Sequence, residues 1–95
     1  MRYTVAWREL ALQQLAQIWM LALDREAVNR AVDFVDAELL NDPDVKGDDY
    51  FGDRYLTLDV MWVLYRVMPD DRIVHVLQVG RPGVDRPHEN LPPVG

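Results

Sequence analysis

The chain has 95 residues, a 49% hydrophobic content and a formal net charge of −6. This bounds it to one domain with a single modest core and argues against disorder. The absence of cysteine excludes a disulfide framework, a thiolate zinc site and a cysteine nucleophile, and a reducing cytoplasm fits best. An acidic chain is also a poor nonspecific ligand for nucleic acid, because phosphate affinity comes mostly from Lys and Arg.

Along the chain, residues 2–7 alternate as a strand, with Tyr3, Val5 and Trp7 on one face and Arg2, Thr4 and Ala6 on the other. This opening lacks the apolar run of a signal peptide, and no stretch approaches the length of a membrane span. Over residues 8–23 the period becomes helical: Leu15, Ile18, Trp19 and Ala22 recur at three- and four-residue steps, while Gln13, Gln14 and Gln17 fall elsewhere. Asp24 is a candidate N-cap for a second helix over 25–40, with Glu26 in its first turn. That helix should bury Val28, Ala31, Val32, Val35 and Leu39 and expose Arg30, Asp33, Asp36 and Glu38. Asn41-Asp42-Pro43-Asp44 stops it.

A polar loop over 46–49 precedes three expected strands, at 50–58, 61–68 and 72–80, with Pro69-Asp70-Asp71 suited to a type I turn between the last two. Residues 1–49 carry ten acids and five bases, whereas 50–81 carry four of each, so the strand region stands apart electrically from its acidic surroundings. The tail, 82–95, holds four of the six prolines and is expected to be flexible. The fold class is α+β: an N-terminal strand, an antiparallel two-helix hairpin, then a three-stranded antiparallel meander completing a small sheet packed on the helices. The strands look apolar on both faces, and the helices cover only one.

Several segments taken in order, YTVAW, LAQIW, LLNDPDVKG, then Arg54 and Leu56, then VLYRVMPDDRIVHVLQVGR, resemble the RelE/ParE superfamily of toxins from bacterial type II toxin–antitoxin modules and plasmid-stabilisation systems. The resemblance covers about residues 3–81 and implies one toxin domain over 1–81. It implies a curved sheet with a groove opposite the helices, a cognate antitoxin that wraps the toxin, and a target in translation (ribosome-bound messenger RNA) or DNA gyrase. Arg81 is the best-matched functional position, followed by Arg54.

RNA cleavage through a 2′-hydroxyl needs a base, cations at the phosphate and an acid for the leaving oxygen. Arg81, Arg54 and Arg66 are candidate sources of charge, with Lys46 joining from the loop, and His75, Tyr65 or Tyr55 are candidate proton carriers. The catalytic set is therefore Arg81, Arg54 and Lys46. In a chain this acidic, strand arginines more commonly serve as solvated or salt-bridged surface groups. His75 between Val74 and Val76 more commonly serves as a hydrogen-bonded sheet residue, and Tyr65, alternating with Val63 and Val67, reads as core. Ribonuclease members of the resembled family commonly carry an arginine where this chain has Trp62, and often close with a helix or extension bearing a tyrosine or histidine. Here a proline-rich tail containing His88 follows Arg81. Any enzyme of this kind would be a degenerate endoribonuclease.

Alternation places Trp62, Leu64 and Arg66 on the groove face if Tyr65 faces the helices. Tryptophan and arginine commonly anchor protein interfaces, so these three residues are the expected partner-binding set. The other reading is a non-catalytic interaction module of the same fold, forming a homodimer or binding a peptide through that groove. No glycine-rich phosphate loop or metal-ligand spacing occurs, and no metal or cofactor is expected.

Overall fold

The computed structural model describes residues 2–87. The elements are β1 (Thr4–Trp7), α1 (Glu9–Leu21), α2 (Arg25–Glu38), a 3₁₀ turn (Pro43–Val45), β2 (Asp48–Tyr50), β3 (Asp53–Thr57), β4 (Trp62–Met68) and β5 (Ile73–Gly80). They form a five-stranded sheet in the order β1-β5-β4-β3-β2, with β1 parallel to β5 and every other neighbour antiparallel. This is the expected α+β plan, with one strand more in the meander.

The extra strand arises because the single strand expected over 50–58 is broken. Phe51 and Gly52 both take positive φ, 50° and 89°, which turns the chain between β2 and β3 in two residues. Such a turn matches the twist of a hairpin but normally calls for Asn-Gly or Asp-Gly, so Phe-Gly gives little warning of it.

The helix junction is made by polar groups at its two ends. The Asp24 side chain accepts from the Ala27 N–H at 3.2 Å and caps α2. Helix α1 has no base in its own last turn. Arg25 serves instead, donating to the Trp19 carbonyl at 3.1 Å while its guanidinium lies 4.2 Å from the centre of the Trp19 ring.

The core lies between the helices and one face of the sheet. Ala11 and Ile18 of α1 and Val28, Ala31 and Val35 of α2, with Leu39, pack against Val63, Tyr65, Val74, Val76 and Val79. Val32 is half-buried at its margin, and so are Asp36 and Glu38, which the helical period alone would expose. Simple alternation would not bring both Val76 and Val79 inward. The register slips beside Leu64 and Tyr65, where Gln78 and Val76 are the successive partners on β5, and Leu77 becomes the extra residue of a bulge. Gln14, expected to point away, reaches β5 and accepts from the Val79 N–H at 2.9 Å. It serves a donor beyond the end of β1.

The first residues of the expected tail form a turn against the sheet: the N–H groups of Val84 and Asp85 both donate to the Arg81 carbonyl. His88 and the rest of the tail lie outside the described residues. Among the described residues, no helix is long and apolar enough to cross a membrane.

Candidate functional site

Cross-strand register assigns the face away from the helices. Tyr55 and Thr57 of β3 pair with Leu64 and Trp62 of β4, which pair in turn with Gln78 and Gly80 of β5. Arg66 pairs with His75, and His75 with Ala6 of β1. Trp62, Leu64 and Arg66 thus share this face, as alternation required, and Tyr65 lies in the core.

The face is covered at one end by the chain itself. Rings of Tyr50, Tyr55 and Trp62 stack in sequence with centroids 5.6 Å apart, and Phe51 meets Tyr50 edge-on at 5.0 Å. The Trp62 indole lies across Gly80, where no side chain would fit. Its N–H donates to the Asp85 carbonyl at 3.0 Å. Trp62 is therefore only 1% exposed and Leu64 only 5%, so in the free chain these two are core-like groups and not open anchors. Of the three expected partner-binding residues only Arg66 is exposed, and it grips Asp53 with Nε at 2.7 Å from Oδ1 and Nη2 at 3.2 Å from Oδ2.

Arg81 is held by the same turn that covers Trp62. Its backbone N–H and Nε both donate to Asp85 Oδ2, at 2.9 and 3.0 Å, and Nη2 reaches Oδ1 at 3.4 Å. These hydrogen bonds, with the adjacent negative charge, raise the guanidinium pKa further. Beside this turn, a cavity of about 420 Å³ opens between α1 and the sheet, bordered by Gln14, Gln17, Leu21, Arg81 and Val84.

The other two candidates, Arg54 and Lys46, come together with each other but apart from Arg66 and Trp62. Arg54 pairs with Tyr65 on the helix-side face and donates to the carbonyls of Lys46 (3.0 Å) and Gly47 (2.7 Å). Lys46 Nζ binds the Glu38 carbonyl at 2.7 Å and its carboxylate at 3.2 Å. The Tyr65 hydroxyl lies 2.9 Å from the Pro43 carbonyl and 2.7 Å from that of Lys46, so one proton serves two acceptors. Burial raises the Tyr65 pKa, and the neighbouring Arg54 partly opposes the shift. Together these groups clamp the loop between α2 and β2. Tyr55, also considered as a proton carrier, has its pKa raised by burial against an opposing hydrogen bond from Thr57.

His75 stands on the open face with its Nδ1 buried and unbonded. Among the described residues, no group of His, Asp and Glu could hold a metal ion. The residue that sequence reasoning missed is Asp85, which joins Arg81 to Trp62; its only signal was the four-residue spacing from Arg81 inside a linker-like tail.

No protein-family model matches the sequence, and no curated protein matches it. Solved structures do. The chain is similar to the RelBE2 toxin–antitoxin complex of Mycobacterium tuberculosis, with a TM-score of 0.68 and 21% identity over 85% of this chain and 92% of the other. The free E. coli toxin RelE with two arginines replaced gives 0.66 and 20%, covering 85% and 84%. This is the RelE/ParE toxin fold. The P. aeruginosa ParDE system gives 0.60 and 19% identity, covering 84% and 96%. At these identities the likeness is one of fold, and the RelE/ParE frame accounts for the α-hairpin, the meander and the parallel return of β1.

Proposed function

We propose that this chain is the toxin component of a type II toxin–antitoxin module, acting in the cytoplasm and neutralised by a cognate antitoxin. The observation that carries this reading is the match of nearly the whole described fold to toxin structures, among them complexes with antitoxins. Its cellular target is translation, through messenger RNA, or DNA gyrase. Arg81 is the residue proposed to meet that target, once freed from Asp85. Arg66 is the exposed candidate for partner contact. Inducible expression in growing bacteria, with and without a short adjacent gene, tests the proposal. Growth arrest relieved by the neighbour supports it, and unimpaired growth at confirmed soluble expression overturns it.

One observation favours a second reading, a non-catalytic module or degenerate toxin of the same fold. Every candidate cation is already engaged within the chain: Arg81 by Asp85, Arg66 by Asp53, Lys46 by Glu38, and Arg54 by two carbonyls. A phosphate would have to displace an internal partner at each. Unimpaired growth on expression, together with a stable homodimer of the purified chain in solution, would select this reading over an active toxin.

A further inference from the structure

The two edges of the sheet are built differently. The β2 edge is three residues long and begins with Asp48 and Asp49, charges that discourage further pairing. The β1 edge, Thr4-Val5-Ala6-Trp7, has no charge, no proline and no bulge. Thr4 and Arg8 direct their N–H groups to the carbonyls of Arg72 and Val76 on the β5 side. Strict alternation in a parallel ladder then turns the backbone groups of Val5 and Trp7 outward, where no further strand lies among the described residues. Tyr3 N–H is taken by the Leu40 carbonyl, which closes one end of the edge.

Helix α2 stands beside this edge. A groove of about 790 Å³ runs between them, lined by Tyr3, Val5 and Trp7 on one side and by Asp33, Asp36 and Leu40 on the other. Arg2 borders it too, at the closed end. The Trp7 indole N–H donates to Asp36 Oδ1 at 2.7 Å, and Asp33 is exposed. A strand added here would form ladder bonds with Val5 and Trp7 and set alternate side chains against an apolar wall edged by two carboxylates.

We propose that the β1 edge and its groove dock one extended strand of another protein, with basic and apolar side chains alternating along it. A second copy of this chain is a poor occupant, since it would bring a further net charge of −6 to an acidic groove. The proposal stands apart from the toxin reading and survives if the chain proves harmless.

The test titrates the isotope-labelled full chain with an acetylated, amidated peptide alternating Lys and Val, and with its Glu-for-Lys counterpart. The Lys peptide should slow amide exchange at Val5 and Trp7 and bind about tenfold or more tighter than the Glu peptide. Asp33→Lys, at an exposed position, should reverse that preference while leaving the fold intact. Val5→Pro, which removes an outward N–H, should abolish protection, as an edge strand tolerates proline. Equal binding of both peptides, protection elsewhere in the sheet, or no binding at millimolar peptide would overturn the proposal. Self-association of the unliganded chain through Val5 and Trp7 would overturn it as well.

Discussion

Trp62 and Gly80 face each other across β4 and β5, and the indole fills the space that a side chain at position 80 would need. Gly80 is buried, and its backbone is not in the left-handed region, so the requirement is one of volume alone. Gly80→Ala should cost about 2 kcal/mol by forcing the ring out of its seat. In a Trp62→Ala background the same change should cost much less, and chemical denaturation of the four variants of this cycle measures the coupling.

Trp62→Ala alone should destabilise the chain by about 4 kcal/mol, as expected for a fully buried aromatic. A large loss of stability in the absence of any partner distinguishes this structural role from an interface role. A change within about 0.5 kcal/mol would return Trp62 to the surface.

Asp85→Ala removes the carboxylate that ties Arg81 into the turn over Trp62. Hydrogen exchange at the Trp62 indole N–H should then accelerate, with the helix amides unaffected. Unchanged indole exchange would mean that the turn holds without its ion pair.

Tyr65→Phe should cost about 1–2 kcal/mol, since the carbonyls of Pro43 and Lys46 lose their shared donor. Because the folded Tyr65 pKa is raised, its contribution is complete below the unfolded value of 10.0 and is lost as pH climbs through the folded value. Stability of the parent should therefore fall on the alkaline side of about pH 10, and Tyr65→Phe should flatten that fall in pH-dependent thermal melts.

Phe51 is 85% exposed and held at φ 50°, a conformation costly for a residue with a Cβ. Phe51→Asn should stabilise the hairpin by about 0.5 kcal/mol, even after losing the edge contact with Tyr50. A lower melting temperature would show that the ring contact outweighs the backbone strain.

Element order was legible because it rests on local period: Leu15 and Ile18 mark one helix, Val28, Ala31 and Val35 the other, and Val63, Tyr65 and Val67 the inward face of β4. The placement of Tyr65 in the core followed from that alternation. The division at Phe51-Gly52 was not legible, because the aromatic residues on both sides of it suit a strand and Phe is an unfavourable first turn residue. Nor was the cover over Trp62. That cover depends on a long-range meeting of an indole N–H with the Asp85 carbonyl, inside a segment whose Pro and Gly content reads as linker. The candidate site was legible as a list of arginines but not as a set of pairs: Asp53 and Asp85 decide what Arg66 and Arg81 hold in the free chain.

The parallel pairing of Thr4 with Ile73 joins nearly opposite ends of the described chain. During synthesis β1 emerges first, but the strand that receives it emerges last, so the hairpins of the meander and the two helices can form before it has a partner. Closure of so large a loop should be the slow event of folding. A kinetic phase abolished by weakening β1 alone, and untouched by changes in the β2–β3 turn, would mark that final docking.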